Sequence, residues 1–526
     1  MEKWSVIKHY RDILDSEKGA ILKNARTKVA LVYPNNYEIG IQNIGFQTAY
    51  RIFNSFQDVC CERFVLDFYE DNLSIENQRF LAEFDIIALS INYEEDVLNF
   101  IKFLDSQKIS VFTDDRGVEH PPVIAGGALS LINPCLLYSI ADVQLAGDIE
   151  PMIPDLKNIF EHYNDKKDFL CKIGALSYAV VYSKTERVKP LRKKNEDFAR
   201  SCIISGKGEF AGEYLVELSS GCKYNCRFCT ASYSFKPYRI FNRKKIIETV
   251  KKECRVKNLG LISAAFGDLP DIYDLLTELK MMGYNVSVSS LRIDSLDDKL
   301  LSLLKEMGVR SITIAEETAS EKLKKVIAKN ITPEQIYEKT EIIAKTGIEN
   351  LKLYYMIGLP FEKEDDILLI VDRIKRVADI FRETQVKYYN RIGRIRISVN
   401  IFIPKPFTPF QYFEPDGKLS IKRKISLLKK GVARIPNVKF EIMSYKSAEL
   451  QMILSRAGFE VKELYQEYME NGFQIKSAIN QYRRYKCSKG GGININEKLD
   501  WEKLIDHNTD ELLHREYEKC LKAKEE

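Results

Sequence analysis

Three cysteines on one short loop constrain this chain more than any other feature. Cys222, Cys226 and Cys229 lie in the run Ser219-Ser220-Gly221-Cys222-Lys223-Tyr224-Asn225-Cys226-Arg227-Phe228-Cys229, with C-x3-C-x2-C spacing. The apolar stretch Glu213-Tyr214-Leu215-Val216-Glu217-Leu218 comes just before it and places the loop at the C-terminal end of a strand. Thiolates are soft ligands that suit iron–sulfur clusters or zinc. A closed site of either kind wants a fourth ligand close by. No cysteine or histidine occurs in the next twenty residues, and Cys254 is the nearest further cysteine. Three thiolates can hold three irons of a 4Fe–4S cubane and leave the fourth iron open for a small molecule. A structural zinc site is the alternative reading.

Length and composition set the frame. A chain of 526 residues should hold two or three domains. Its 45% hydrophobic and 29% charged residues are ordinary for a globular protein. No apolar run is long enough to span a bilayer. The start, Met1-Glu2-Lys3-Trp4-Ser5-Val6, leads into a charged amphipathic helix and does not read as a signal peptide. Eleven cysteines at irregular spacing point to a reducing compartment, and a cytoplasmic location is expected. The net charge of +5 is small for this length and does not imply nucleic acid. The basic runs Lys189–Lys194 and Lys422–Lys430 read as solvated surface.

The chain's rhythm predicts an α/β fold in five segments: 1–27, 28–165, 166–212, 213–415 and 416–526. The first is a helix. In the second, Val29–Tyr33, Ile86–Ser90, Val123–Gly127 and Ala141–Gly147 read as buried strands. Helices are expected near 44–53, near 97–104 and after Pro151. That alternation predicts an open, doubly wound parallel sheet, whose ligands sit at the carboxyl ends of its strands. Tyr33, Asn35, Ser90, Gly126, Gly127 and Gly147 all fall there. The third segment reads as a connector with some strand content near 177–182. In the fourth, strands are expected at Tyr214–Leu218, Leu261–Ala265, Val286–Ser290, Ser311–Ala315, Asn350–Met356 and Ile395–Ile403. Helices lie between them, as at 243–257 and 271–282. Six such units make a partial (β/α)6 barrel with its site at the C-terminal strand ends, where the three cysteines fall. The tail reads as helical and basic, broken at Gly490-Gly491-Gly492.

C-x3-C followed by x-aromatic-C, here with Phe228, resembles the signature of the radical SAM family. The resemblance extends along the chain to a largely uncharacterised branch with an N-terminal cobalamin-binding-like domain. It is carried by Tyr33-Pro34-Asn35-Asn36-Tyr37-Glu38-Ile39-Gly40, by Val123–Gly127 with Asn133-Pro134 and Gly147-Asp148, and by Ser289-Ser290-Leu291-Arg292-Ile293-Asp294. Lys352–Pro360 and Phe402–Gln411 carry it further. The resemblance implies a 4Fe–4S cluster on the three cysteines. S-adenosylmethionine would bind the open iron and be cleaved reductively to a 5′-deoxyadenosyl radical.

It also implies cofactor contacts. Phe228 would pack beside the adenine. Gly267 and Asp268 stand where the family contacts the methionine amino group, although the usual Gly-Gly-Glu is here reduced to Gly267-Asp268. Ser290 and Arg292 would face the ribose or carboxylate. Glu317 stands in the place of a family glutamate near the ribose, in a motif with Glu316 for a proline and Ala319 for a glycine. Gly358 and Pro360 would shape the adenine pocket. Each position has a structural alternative: strand-end polarity for Ser290 and Arg292, a helix cap for Glu317, turn geometry for Gly358 and Pro360, and core packing for Phe228.

Cobalamin is the open question in the N-terminal domain. A histidine-on domain carries Asp-x-His-x-x-Gly after its first strand, and 33–40 contains no imidazole. Cobalt would be bound without a histidine, or the domain holds no corrinoid. The functional readings are a cobalamin-dependent C-methyltransferase and a cobalamin-independent radical SAM enzyme of unknown substrate. A methylthiotransferase with a second cluster on Cys60, Cys61 and Cys135 is a third. A metal-stapled RNA-binding protein using 422–484 is the non-enzymatic alternative. An enzyme of this kind needs a reductant such as flavodoxin or ferredoxin, and its substrate is not named by the residues.

Overall fold

The computed structural model describes residues 3–68, 72–184, 186–480, 493, 495 and 498–524. The glycine break at 490–492 and the end of the basic tail lie outside the described residues. The chain divides into two compact units. The first runs to Val216 and takes back later segments that begin at Ile453 and end at Asn508. The second runs from Glu217 to Met452 and regains the chain from Thr509 onward. Residues 416–526, read above as one segment, are therefore shared between both.

The first unit is built on a six-stranded sheet: β1 (Thr27–Tyr33), β2 (Val59–Val65), β3 (Ile86–Ser90), β4 (Val123–Gly126), β5 (Val143–Leu145) and β6 (Ala179–Val181). Their order is β2-β1-β3-β4-β5-β6. The first five strands pair in parallel, with Val29 beside both Cys61 and Ile86, and β6 closes the edge antiparallel to β5. This is the doubly wound order whose switch point lies between β1 and β3. Helices alternate with the strands as the pattern predicts. Ile44–Ser55 starts where the Asn43 side chain accepts from the Phe46 N–H, and it buries Phe46, Tyr50, Ile52 and Phe53. The strand content of the expected connector is β6, which belongs to this sheet.

The sequence reading missed β2. Its centre is Glu62-Arg63, which breaks the apolar run, yet every residue of the strand is buried. The charges are matched inside. Arg63 is fully buried, donates through Nη1 and Nη2 to both oxygens of Glu17 at 2.8 and 2.7 Å, and through Nε to Glu76 at 2.6 Å. Its guanidinium lies 4.9 Å from the Tyr50 ring. Glu62 accepts from Ser74, Asn77 and Arg79.

The second unit alternates strand and helix. β7 (Glu213–Glu217) crosses the boundary and leads to β8 (Ser219–Ser220), which pairs antiparallel with β9 (Arg239–Ile240). β10 (Asn258–Ile262) and β11 (Asn285–Val288) are parallel. A parallel bridge, Leu291 to Ile314, joins them to β12 (Ser311–Glu317), β13 (Asn350–Ile357), β14 (Arg394–Ile401) and β15 (Val438–Ile442), which are parallel in that order. The result is a run of parallel strands with intervening helices, open among the described residues. β15 was not expected from the tail. It is an edge strand in which half-buried and exposed positions alternate, Lys439 and Glu441 being exposed, a pattern that protects a sheet edge. The final helix, Asp510–Ala523, packs on the helix Glu321–Ile327 and on the turn Pro409–Tyr412.

Replacing Arg63 by leucine would leave two buried carboxylates without their cation and should cost about 3–5 kcal/mol. Buried carboxyls without a cation bind protons more tightly folded than unfolded, so the deficit grows as pH rises. Denaturant melts of R63L and wild type at pH 5 and pH 8 check both statements.

Candidate active site

The cysteine loop leaves the strand end through Gly221, whose φ is +72°. A Cβ there would stand 2.5 Å from the Phe235 carbonyl oxygen, so the turn admits only glycine. The approach is fixed by the β8–β9 pairing, by Ser219 Oγ against Ser263 Oγ at 2.7 Å, and by Arg239 donating to Ser220 Oγ at 2.9 Å. Inside the loop, the Cys229 N–H donates to the Cys226 carbonyl at 3.0 Å and the Tyr233 hydroxyl to the Asn225 carbonyl at 3.0 Å. Cys222 and Cys226 are 9% and 6% exposed. Burial raises all three thiol pKa values. At Cys226 the positive charges of Lys329 and Arg292 act in the opposite direction. Thiols of this kind ionise when a metal supplies the charge.

Soft thiolate donors suit a cluster. Among the described residues no three His, Cys, Asp or Glu side chains converge on one metal-ion site. A cubane does not need such convergence, because each thiolate binds a different iron.

Several expected cofactor residues gather around the loop. Tyr224, between Cys222 and Cys226, is the hub. Its hydroxyl donates to Asp268, with Oδ1 and Oδ2 at 3.1 and 3.0 Å, and its ring carries the Arg292 guanidinium 3.5 Å from the centroid. Lys223 also donates to Asp268 at 2.8 Å. Arg292 forms a two-pronged pair with Asp294 at 3.0 and 2.7 Å. Gly267 packs so closely that a Cβ would meet Ser295 Oγ at 2.4 Å. Glu317 sits at a bulge in the β12–β13 register with φ +70°, a conformation non-glycine residues rarely adopt. It accepts from Lys329 Nζ at 3.0 Å, and both Lys329 and Glu317 act electrostatically on Cys226. Its neighbour Glu316 is a structural group, buried against Lys324 at 3.0 Å and accepting from Tyr355 at 2.9 Å.

Other expected contacts are partly occupied by the protein. Phe228 packs against an apolar cluster that includes Leu323, Leu359 and Cys520. Gly358 has φ +83°, and its N–H donates to Glu362 at 2.6 Å. Glu362 is pushed up to about 7 by burial, against its pairing with Lys424. Pro360 is buried, and Ser290 lies exposed after β11. The sequence reading missed Tyr224, Arg227 and Lys329. Tyr224 and Arg227 sit at variable positions of the cysteine motif. Lys329 ends a lysine-rich stretch that reads as helix surface, yet it is 6% exposed.

In the first unit, the strand ends form a second candidate site. Asn35 Nδ2 donates to Asp96 Oδ1 at 2.8 Å across the switch point. The other oxygen of Asp96 and the Nδ2 of Asn92 are buried and make no close hydrogen bond, with Asn99 and Tyr33 as polar neighbours. Asn92 Oδ1 accepts from the Ala128 N–H at 3.1 Å, tying β3 to the glycine turn. Tyr33 is buried beside Asp96, and Ser90 is buried at the end of β3. Gly127 and Gly147 have φ of +108° and +128°, and a Cβ on either would run into the backbone oxygen of Ile91 or Leu191. Their need for glycine is met by protein backbone. Gly126 differs, since nothing lies within 4 Å of its Cβ direction.

The candidate second cluster does not assemble. Cys60 and Cys61 are consecutive on β2 and face opposite sides of the sheet. Cys60 Sγ bonds the Lys23 carbonyl at 2.8 Å, and Cys135 is buried in the turn Pro134–Leu137.

With this geometry in place, the comparisons with known proteins are direct. The radical SAM superfamily model matches residues 216–374, and the model for radical SAM proteins, N-terminal, matches residues 45–182. Both stretches therefore carry radical SAM domains. Proteins of this superfamily use a 4Fe–4S cluster and S-adenosylmethionine, need a reductant, and act as enzymes. An uncharacterised protein of Methanocaldococcus jannaschii is 29% identical over 480 residues, 91% of this chain and 98% of the relative. An uncharacterised methyltransferase of Pyrococcus horikoshii is 25% identical over 214 residues, 39% of this chain and 46% of its own length. Among solved structures, the radical S-adenosylmethionine methyltransferase TsrM from Kitasatospora setae, with cobalamin and a [4Fe-4S] cluster bound, is similar in fold. It is 14% identical, has a TM-score of 0.52, and covers 74% of this chain and 77% of TsrM. The cobalamin-dependent S-adenosylmethionine radical enzyme OxsB is 13% identical with a TM-score of 0.50, covering 94% of this chain and 79% of OxsB. No described helix is long and apolar enough to cross a membrane.

Burial raises the Asp96 carboxyl to about 6, while Asn35 opposes the shift. A carboxyl raised in the folded state binds more protons folded than unfolded, so its contribution to stability falls as pH rises through about 6 and is level above that. D96N removes this titration. Its stability relative to wild type should rise by up to about 2 kcal/mol between pH 4 and pH 7.5, measured by denaturant unfolding.

Proposed function

We propose that Cys222, Cys226 and Cys229 ligate a 4Fe–4S cluster at which S-adenosylmethionine is reductively cleaved, and that the chain is a corrinoid-dependent methyltransferase acting on carbon. The three thiols at a strand end, two of them buried and Cys226 faced by Lys329 and Arg292, carry the first part. When bound, the cluster supplies the electron that splits the sulfonium and yields a 5′-deoxyadenosyl radical. The chain's own residues do the rest. Tyr224 and Asp268 fix the loop between the first two cysteines. Arg292 stacks on Tyr224 and presents a cation to the cofactor carboxylate. Glu317 is held by Lys329 in a strained backbone conformation of the kind that collects at functional sites. Phe228, only partly buried, offers apolar surface for the adenine, Ser290 is exposed beyond β11, and Gly267, Gly358 and Pro360 shape the backbone around them. Burial excludes water from the radical's path.

The corrinoid reading is carried by the switch point of the first unit. A corrinoid carries amide side chains, and it would supply a methyl carrier. The Asp96 oxygen that makes no close hydrogen bond can accept from an amide N–H, and the Asn92 Nδ2 can donate to an amide oxygen. Tyr33, Asn35, Ser90 and Gly147 frame the same strand ends, and Gly126 with Gly127 leaves the open surface beside them. The absence of an imidazole from 33–40 implies cobalt without a protein histidine ligand. TsrM and OxsB, whose folds this chain shares, are cobalamin enzymes. All described cysteines are free thiols, which suits the cytoplasm and a flavodoxin or ferredoxin as electron source.

Anaerobic reconstitution should load iron and sulfide in near fourfold ratio to protein and generate 5′-deoxyadenosine under strong reductant. C226A should abolish that product. Corrinoid affinity, read by its visible absorbance, should fall in G126L with the fold intact, because the added side chain enters open space. G127A should instead lose stability, because its Cβ meets Ile91. Product formed without any corrinoid uptake would favour the cobalamin-independent enzyme.

A further inference from the structure

We infer that the final helix, Asp510–Ala523, positions the cysteine loop through Glu516, and that the Glu516 charge sets the electrostatic surroundings of the cluster. The inference rests on the proposed ligation by Cys222, Cys226 and Cys229. The two residues between Cys226 and Cys229 are Arg227 and Phe228, and this one helix reaches both. Arg227 is held on several sides. Its backbone N–H donates to the Ile327 carbonyl at 3.1 Å, and Nη1 donates to the carbonyls of Lys325 and Val326 at 2.8 and 2.9 Å. The guanidinium thus closes the C-terminal end of the helix Glu321–Ile327, where unpaired carbonyls favour a cation. Its Nε donates to Glu516 Oε2 at 3.2 Å, with both side chains 7% exposed.

One turn further on, Cys520 lies in the apolar cluster against which Phe228 packs. Positions 516 and 520 share a helix face. A buried aromatic places this contact beside the ligands. Tyr233, wholly buried, has Glu516, Arg227, Cys226 and Cys229 all acting on its phenol. Lys519 also donates to Glu516 at 2.8 Å, but from a half-exposed position. The helix therefore supplies the buried counter-charge for the only side chain between Cys226 and Cys229 that carries charge.

Removing the Glu516 carboxylate leaves the Arg227 cation uncompensated beside the cluster. Added positive charge stabilises the more negative, reduced cluster, and hydrogen bonding and net charge are established levers on such potentials. E516Q should raise the midpoint potential. R227Q, which leaves the carboxylate and removes the cation, should lower it. A purely structural role would loosen the loop in both variants without opposite signs.

The test uses the full chain reconstituted anaerobically, with iron counted and a redox titration followed by the spin signal of the reduced cluster. The expected result is opposite shifts in E516Q and R227Q at full iron content, with E516D returning toward wild type. Equal potentials in wild type, E516Q and R227Q would overturn the inference. Should E516Q or R227Q fail to load iron, E516D decides. Iron release from E516D to a chelator about tenfold faster than from wild type supports the positioning role, and an unchanged rate overturns it. Wild-type protein that takes up no iron would instead sink the cysteine ligation itself.

Discussion

A thiolate removed from water needs positive charge close at hand, and the second unit is organised around that need. Cys222, Cys226 and Cys229 are held where burial keeps their protons on. Lys329, just after the helix Glu321–Ile327, and Arg292, in the loop after β11, both act on Cys226, and Arg227 lies within the cysteine loop itself. Each of these cations is in turn tied to a carboxylate: Glu317, Asp294 and Glu516. The pairs limit the cost of burying charge, and they fix where each cation points. Metal ions bound by the three sulfurs would complete this balance.

The first unit solves a different problem with the same means. Its sheet is buried on both faces, as parallel sheets require. β2 nevertheless carries Glu62 and Arg63 at its centre. Arg63 gathers Glu17 from the end of the first helix and Glu76 from the loop after β2, so one guanidinium joins three stretches of chain. At the opposite extreme, Asp96 and Asn92 keep polar atoms without a close hydrogen bond at the switch point. Buried polar groups are almost always satisfied. Buried atoms without such a bond recur elsewhere in the chain, but here two fall together at the place where doubly wound sheets bind ligands.

Much of this was legible in the sequence. Long apolar runs such as Val29–Tyr33, and strictly alternating ones such as Ile395–Ile401, announce strands whatever their neighbours do. The cysteine motif carries its own chemistry, because ligand type and spacing are local. What escaped depends on partners distant in sequence. β2 was hidden by charges that Glu17 and Glu76 neutralise. β15 was hidden by an alternating charged edge in a basic tail. Lys329 looked like solvated surface because Glu317 and Cys226, its neighbours in space, belong to other elements. The glycines show the converse. Gly127 and Gly147 suggest a ligand cradle by composition, while their Cβ positions are closed by Ile91 and Leu191 backbone. Of these three glycines, Gly126 alone faces open space.

The division of the chain has a consequence for its synthesis. Neither unit is continuous: the first waits for segments between Ile453 and Asn508, and the second for the helix that begins beyond Thr509. Domains usually form in order as they leave the ribosome. Here the sheet containing β1 and the loop containing Cys226 both emerge hundreds of residues before their last packing partners. A nascent chain therefore carries its soft-metal ligands without this packing until the segment beyond Thr509 has been made. Loss of the helix Asp510–Ala523 would strip the counter-ion from Arg227 while leaving every cysteine of the motif in place.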